Sequence, residues 1–270
     1  MQLNLRFDKQ VINPAIVDES SVLTDLNLHL LSFPSPDQEL LPGLNWGGYD
    51  CLFTPAYWKM QYLMHYYDDA FNINYKLGSN IFEEVVACLL GGFGLKSEMG
   101  LAAFHRLKNR SLIKRFISFE AIHTALKEPF FLKKNMARYR FPNQKAKFIS
   151  EFLNRYDLDM IPSIDLELRD WLMSVNGIGP KTASWITRNH LDSEKVAIID
   201  VHILRALHLM GVSCNGYDVQ KNYFELEHIF LYICKELEVQ PSKMDALIWL
   251  QMKESNKVAL KIFNNHYNRV

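Results

Sequence analysis

Two ionisable residues near the middle of the chain have the types and the spacing that suit covalent catalysis. Lys181 directly follows the motif Asn-Gly-Ile-Gly-Pro at 176–180, and Asp200 lies nineteen residues further on. A neutral lysine amine is a nucleophile, whereas a carboxylate can accept its proton or stabilise positive charge that develops on a sugar ring. The pair therefore predicts an active site in which Lys181 attacks and Asp200 assists.

Each of these residues also has a purely structural interpretation. The positive end of a helix dipole disfavours an ammonium group, so a lysine at the head of a helix is a good candidate for a neutral, reactive amine. Lys181 could instead reach solvent or a phosphate group. Asp200 immediately precedes a predicted helix over 201–210, where its carboxylate would act as the N-cap. Capping and catalysis are compatible, so neither role excludes the other.

The motif before Lys181 predicts a tight turn between two helices. Glycine adopts positive φ angles without strain, and such a turn leaves backbone N–H groups exposed beside the next helix N-terminus. These groups form a small anion site that suits a DNA phosphate. Many helix pairs turn on glycine for structural reasons alone, so the motif by itself supports DNA binding only weakly. The candidate DNA contacts in this turn, in which the isoleucine is expected to pack underneath, are Asn176, Gly177, Ile178 and Gly179.

The charge of the chain is unevenly distributed, although its formal net charge is zero. Residues 105–155 carry thirteen Lys and Arg against three Asp and Glu, whereas residues 1–104 carry five against twelve. Phosphate binding requires clustered basic side chains. A solvated helical surface is the alternative explanation of such a run. Lys145 and Lys147 lie outside the apolar stripe of their predicted helix, and we expect them to contact DNA.

The spacing of cysteine and histidine argues against a metal site. The four cysteines are far apart without a CxxC pair, and the nine histidines include no HExxH motif, so neither zinc nor an iron–sulfur cluster is predicted. We expect reduced, mostly buried thiols. The sequence has no signal peptide and no apolar window of about eighteen residues. It therefore predicts a soluble intracellular protein.

From about residue 54 onward, the sequence is rich in residues that begin and end helices. An alternating pattern typical of strands is weak and confined to the first fifty residues. The predicted class is therefore all-α. The predicted N-caps are Thr54, Ser79, Ser118 and Asp165. The glycine-rich sequence at 91–94 is expected to end one of the helices. Predicted helices begin at 55 and then cover approximately 80–90, 97–107, 119–128, 142–156, 166–175, 180–190, 201–210, 220–237, 242–253 and 255–267.

Three features together resemble the helix-hairpin-helix DNA glycosylase superfamily. They are the sequence Leu-Met-Ser-Val-Asn-Gly-Ile-Gly-Pro-Lys-Thr-Ala at 172–183, the spacing from Lys181 to Asp200, and Asp-Val-His-Ile-Leu-Arg at 200–205. In this superfamily the motif lysine marks bifunctional enzymes, which are glycosylases and abasic-site lyases together. The resemblance implies that Lys181 attacks C1′ of a damaged nucleotide, expels the base and forms a Schiff base that permits β-elimination. Asp200 would be the essential carboxylate.

Within the superfamily, the chain most resembles the archaeal-type 8-oxoguanine glycosylases. Like them, it lacks the cysteine cluster that would bind an iron–sulfur cluster. This resemblance implies that Trp185 stacks on the flipped base and that Asp245 and Trp249 belong to the base pocket. Asp245 or a backbone carbonyl would accept a hydrogen bond from N7–H, which guanine lacks. Both tryptophans could instead be ordinary core residues.

Such an enzyme must extrude the target base and fill the gap that it leaves. The resemblance makes Phe93 the candidate wedge and His202 a donor to a phosphate near the lesion. An aromatic ring tucked over a glycine turn and a core-facing histidine are the respective alternatives. Asn176 departs from the family pattern, because a proline is common at that position.

The implied architecture has two helical lobes that flank a DNA-binding cleft, with the hairpin at their junction and room for short strands near the N-terminus. Residues 76–188 would form a helical barrel, and 1–75 would pack with 189–270 in the second lobe. The implied partner is double-stranded DNA with a damaged base. We expect a monomer, no membrane, and no cofactor beyond a monovalent cation at the hairpin. The implied location is the cytoplasm or nucleoid of a prokaryote, or the nucleus of a eukaryote.

Three alternatives stay open from the sequence. A glycosylase of the same fold could act on an oxidised pyrimidine or an alkylated base. A helix-hairpin-helix module could bind DNA without chemistry. A helical scaffold protein is the third, but it explains neither the spacing from Lys181 to Asp200 nor the basic segment.

Overall fold

The computed structural model describes residues 33–66, 76–92, 94–132, 135–214, 216–255, 258 and 261. These residues are mostly helical, which confirms the predicted all-α class. None of the described helices is both long and apolar enough to cross a membrane. No group of three or more His, Cys, Asp or Glu within the described ranges is arranged to hold a metal ion.

Helices account for most of the described residues. They are α1 (Pro55–Tyr66), α2 (Ile81–Leu90), α3 (Ser97–Asn109), α4 (Phe119–Lys127), α5 (Pro142–Arg155), α6 (Asp165–Met173), α7 (Pro180–Leu191), α8 (Val201–Met210), α9 (Tyr223–Glu236) and α10 (Pro241–Glu254).

Two short antiparallel strand pairs accompany the helices. Strands β1 (Glu39–Leu41) and β2 (Leu44–Asn45) pair near the N-terminus, where short strands were expected. Strands β3 (Phe130–Leu132) and β4 (Asn135–Ala137) form a second hairpin. The expectation that strands are confined to the first fifty residues was wrong, because three-residue strands are too short to show an alternating pattern.

The chain divides into two compact units, each with its own hydrophobic core. The described part of the first unit is 76–193, and its core includes the fully buried Phe104 and Phe152. The described part of the second unit comprises 33–66 and residues from 194 onward, with Trp58 and Phe230 at its centre. The boundary lies just after α7, so α7 belongs to the first unit and α8 to the second.

Side-chain caps define most of the helix starts. Thr54 and Ser118 cap α1 and α4 as predicted. The prediction of Ser79 as an N-cap was wrong. Asn80 caps α2 instead, since its Oδ1 accepts a hydrogen bond from the backbone N–H of Glu83 at 3.0 Å. This arrangement satisfies an N–H group that has no acceptor within the helix.

The prediction for α6 was wrong at both ends. The helix begins at Asp165, which was expected to be its cap, and it ends at Met173 rather than Val175. Val175 is the first residue of the turn that follows. The predicted helix over 255–267 lies almost entirely outside the described residues, and so does Phe93, the candidate wedge.

The four cysteines are free thiols, as expected from their spacing. Cys51 is exposed and the other three are buried. Burial raises the pKa of Cys214 to about 11, and burial raises the pKa of Cys88 and of Cys234 well above the ordinary thiol value. The three buried thiols are therefore protonated packing residues, which is the usual behaviour of cysteine in a core.

Candidate active site

The connection between α6 and α7 is a type II β-turn. The backbone N–H of Ile178 donates to the carbonyl oxygen of Val175 at 3.0 Å, and Gly177 has a φ of +90°. A type II turn requires a positive φ at its third residue, which glycine adopts without strain. Gly179 has a φ of −101° and is the N-cap of α7. Only the first of the two glycines therefore has a positive φ.

The core of the first unit supports this turn. Ile178 is buried, as predicted. A Cβ atom on Gly177 would lie 2.4 Å from Cδ2 of Phe148 and 3.2 Å from Cδ2 of Leu89. By contrast, a Cβ on Gly179 would meet no heavy atom within 4 Å. The fold thus requires glycine at 177, whereas at 179 it leaves open space in front of exposed backbone.

The side chain of Asn176 forms a hydrogen bond between the turn and α5. Its Nδ2 donates to Oε2 of Glu151 at 2.9 Å. The Nζ of Lys147, four residues before Glu151, lies 3.8 Å from the other carboxylate oxygen. An asparagine at this position therefore gives the turn a side-chain anchor that a proline would not provide. It also brings Lys147, a predicted DNA contact, close to the hairpin.

Lys181 lies in the first turn of α7, where it is half-buried. The N–H groups of a first helical turn have no acceptor within the helix, so the amine is attached at the positive end of the helix dipole. Trp185 follows one turn later on the same face and packs against the core of the first unit. Its indole N–H is buried and has no hydrogen-bond partner among the described residues.

Several basic residues of 105–155 form hydrogen bonds or ion pairs within the first unit. Arg106 donates from its guanidinium to the carbonyl oxygens of Ala125, Glu128 and Pro129 at 2.8–2.9 Å. Ion pairs join Lys108 to Glu83, Arg110 to Glu128, and Arg115 to Asp157. The positive charge that a DNA backbone would meet is therefore smaller than the net charge of this segment.

Two further basic residues contact the backbone of Gly91 and Gly94. Lys145 Nζ donates to the carbonyl oxygen of Gly91 at 3.0 Å, and a guanidinium nitrogen of Arg140 lies 3.4 Å from the carbonyl oxygen of Gly94. Burial lowers the pKa of the Lys145 ammonium. The predicted DNA contact of Lys145 would thus be made by an amine that already has a protein acceptor.

Asp200 is the N-cap of α8 in the second unit. Its Oδ1 accepts hydrogen bonds from the backbone N–H groups of His202 at 2.8 Å and Ile203 at 3.2 Å. The residue is 8% exposed, but the adjacent Val201 is 45% exposed, so this helix end reaches solvent. The capping role considered for Asp200 is confirmed. Two hydrogen bonds to one oxygen fix the orientation of the carboxylate.

The other predicted site residues of the second unit lie on α8 and α10. His202 is half-buried in the first turn of α8. Asp245 is buried, and its Oδ2 accepts from the backbone N–H of Ile198 at 3.0 Å. Trp249, one turn later, is half-buried with Nζ of Lys253 at 4.7 Å from its ring centroid. One oxygen of Asp245 is therefore already bound to the backbone.

The predicted site residues are distributed over both units. The first unit holds Asn176, Gly177, Ile178, Gly179, Lys145, Lys147, Lys181 and Trp185, and the second holds Asp200, His202, Asp245 and Trp249.

Sequence reasoning missed two features that bear on function. The β3–β4 hairpin pairs Phe131 with Met136 across its strands, and these side chains are 71% and 65% exposed within the basic segment. The second feature is the buried pair Tyr223 and Glu227 on α9, whose side chains bond to the backbone just before Asp200. A tyrosine and a glutamate one turn apart give no sequence signal of burial.

The chain is similar to several known proteins. The family model described as 8-oxoguanine DNA glycosylase matches residues 67–239. The 8-oxoguanine DNA glycosylase/AP lyase of Metallosphaera sedula is 31% identical over 191 residues, which cover 67% of this chain and 86% of that protein. The protein of the same name from Sulfurisphaera tokodaii is 26% identical over 205 residues, covering 70% of this chain and 90% of that protein.

The crystal structure of the 8-oxoguanine DNA glycosylase of Methanocaldococcus jannaschii has the same fold. It matches with a TM-score of 0.54 at 22% identity, over 72% of this chain and 91% of that chain. With its glycine turn between α6 and the lysine-bearing α7, this helical chain has the helix-hairpin-helix that the sequence predicted. The chain belongs to the 8-oxoguanine DNA glycosylase family, which confirms the resemblance seen in the sequence.

Proposed function

We propose that this protein excises 8-oxoguanine from double-stranded DNA and then cleaves the strand at the resulting abasic site. The observation that carries the proposal is the position of Lys181. It lies in the first turn of α7, behind a glycine turn with exposed backbone, in a chain of the 8-oxoguanine DNA glycosylase family. A module that only bound DNA would need the glycine turn but not a lysine at the positive end of a helix.

The chemistry begins with the side-chain amine of Lys181. Its nitrogen attacks C1′ while the bond from C1′ to the base breaks, so the base leaves with the bonding electrons and takes up a proton. Opening of the sugar ring breaks the bond between C1′ and the ring oxygen, which takes up a proton from solvent, and gives a protonated Schiff base. Loss of a C2′ proton then expels the 3′ phosphate by β-elimination. Lysine is regenerated when water hydrolyses the imine.

Asp200 has the role of the carboxylate in this scheme. Negative charge stabilises the positive charge that develops on the sugar as the base departs. The N-cap hydrogen bonds to His202 and Ile203 preorganise it, since they hold one oxygen before substrate arrives.

Recognition of DNA is assigned to the turn at 176–179 and to the basic residues near it. Exposed backbone at Gly179 and the N-terminus of α7 suit a phosphate. Lys147 is the basic residue beside the turn, because Glu151 contacts both its Nζ and the Nδ2 of Asn176. Trp185 and Trp249 are each proposed to stack on the flipped base, because their rings offer flat apolar surfaces.

The proposal is tested with duplex oligonucleotides that carry 8-oxoguanine, an oxidised pyrimidine, an alkylated base or an abasic site. We expect single-turnover excision of 8-oxoguanine, strand cleavage, and a covalent adduct after borohydride reduction. Excision confined to an oxidised pyrimidine or an alkylated base would show that this base, and not 8-oxoguanine, is the substrate. Binding without excision or adduct on any duplex would leave only a DNA-binding module.

Replacement of the two glycines of the turn separates folding from DNA contact. Gly177→Ala places a Cβ 2.4 Å from the Phe148 ring at a φ of +90°. We expect it to lower the free energy of unfolding by about 1–3 kcal/mol. Gly179→Ala meets no neighbour, so stability should change by less than about 1 kcal/mol. Duplex binding should nevertheless weaken about tenfold if a phosphate approaches this residue closely.

Denaturant unfolding and fluorescence anisotropy on an undamaged duplex measure the two effects. Gly43→Ala is the matched control, because Gly43 also has a positive φ of +76° but has open space around its Cβ position. It reports the cost of backbone strain without the clash. Native-like DNA affinity of Gly179→Ala would contradict the assignment of this residue to the phosphate site.

A further inference from the structure

The segment that leads to Asp200 is buried but belongs to no helix or strand. Residues 196–199 are at most 8% exposed. Backbone N–H and carbonyl groups in such a segment need partners, because burying them without hydrogen bonds is costly. Among the described residues no strand pairs with this segment, and side chains from elsewhere in the second unit supply hydrogen-bond partners instead.

Two residues of α9 bind this segment at Ala197. Glu227 Oε1 accepts from the backbone N–H of Ala197 at 3.0 Å, and the hydroxyl of Tyr223 donates to the carbonyl oxygen of the same residue at 2.7 Å. The Tyr223 hydroxyl also lies 3.4 Å from the backbone nitrogen of Ile199, as a hydrogen-bond acceptor. Tyr223 and Glu227 are 3% and 4% exposed. They therefore hold the backbone from within the core.

Asp245 on α10 completes the set of contacts. Its Oδ2 binds the N–H of Ile198 at 3.0 Å, so two buried carboxylates hold consecutive backbone amides. The segment is thus fixed on both sides up to Ile199, and Asp200 follows directly.

We infer that Tyr223 and Glu227 are positioning residues for Asp200. The inference rests on the proposed function, because it concerns the carboxylate that assists base excision. The N-cap fixes Asp200 relative to α8, but it does not fix the peptide that precedes the residue. Tyr223 and Glu227 do so from a different helix, which sets where the carboxylate lies in the second unit. Displacement of a reacting group by about 1 Å can cost roughly 100-fold in rate.

The two reactions of the proposed enzyme separate positioning from folding. Base excision requires the carboxylate when positive charge develops on the sugar. A preformed abasic site has already lost its base, so its aldehyde forms a Schiff base with Lys181 without that step. A residue that positions Asp200 should therefore affect excision of 8-oxoguanine more than borohydride trapping on an abasic duplex. A residue that only stabilises the fold should reduce the active fraction in both assays equally.

The test compares Tyr223→Phe, Glu227→Leu and Glu227→Gln in the full chain. Tyr223→Phe removes both hydroxyl contacts, and Glu227→Leu removes the acceptor of the Ala197 N–H. We expect each to slow single-turnover excision by about 10- to 100-fold and to change trapping on an abasic duplex by less than about threefold. Glu227→Gln keeps an acceptor oxygen and should restore excision to within about threefold of the unmodified protein. Tyr57→Phe is the matched control.

Tyr57 is suitable because its hydroxyl bonds to Gln251 Oε1 at 3.1 Å in the same unit, away from the segment 196–199. If Tyr223→Phe and Glu227→Leu excised as fast as Tyr57→Phe, the inference would be overturned. An equal loss in both assays, in proportion to a lowered melting temperature, would also overturn it. Failure of the proposed function looks different, since the unmodified protein would then neither excise 8-oxoguanine nor form an adduct.

Discussion

Lys181→Gln is expected to abolish the covalent adduct that borohydride traps between the protein and DNA. Glutamine keeps the approximate length and polarity of the side chain but cannot form an imine. Excision of 8-oxoguanine in single turnover should fall by at least about 10³-fold, because the proposed nucleophile is lost. Binding to a duplex should persist, since the turn at 176–179 does not depend on this side chain for its hydrogen bonds.

A lysine outside the proposed site provides the control for this experiment. Lys221 is exposed, precedes α9 and is remote in sequence from the hairpin. Lys221→Gln removes the same charge and should retain excision and adduct formation. An adduct that survives in Lys181→Gln, located to another residue by peptide mapping, would show that the nucleophile lies elsewhere.

Asp200→Asn is expected to have the second largest effect. Asparagine is as good an N-cap as aspartate, so the hydrogen bonds from the His202 and Ile203 N–H groups should survive. The negative charge is lost, and we expect excision to slow by about 10²- to 10⁴-fold. Thermal unfolding should show a midpoint within about 2–4 °C of the unmodified protein.

Asp200→Ala separates the two roles of this residue. It removes charge and cap together, so its unfolding free energy should fall by about 0.5–2 kcal/mol relative to Asp200→Asn, while excision should be equally slow. Asp200→Ser is a second control, because serine, like asparagine, caps the helix without the charge. If Asp200→Asn excised 8-oxoguanine at the unmodified rate, Asp200 would be a structural cap alone.

The hairpin was predictable because its features are local in the sequence. Two glycines around an isoleucine, followed by a proline, indicate a tight turn into a helix, and the structure has a type II turn and an N-cap at these residues. The individual roles of Gly177 and Gly179 were not predictable. They depend on Phe148 and Leu89, which contact one glycine position and not the other.

The basic segment shows where composition misleads. Thirteen Lys and Arg between 105 and 155 predicted a surface for phosphates, but Lys108 and Arg115 pair with acidic residues 25 and 42 positions away. Lys145 similarly donates to Gly91, which lies 54 positions earlier. Which positive charges remain for a partner depends on these contacts, and no local pattern encodes them.

The sequence by itself determined the helical class, the turn before Lys181, the cap at Asp200 and the family. These features depend on residues close together in the chain, because helix start and stop signals and short motifs act through near neighbours. Only the tertiary structure decided how the backbone before Asp200 is held. Glu227 and Asp245 reach it across 30 and 47 positions of sequence, and a buried carboxylate is stable there because backbone N–H groups replace the water that it loses.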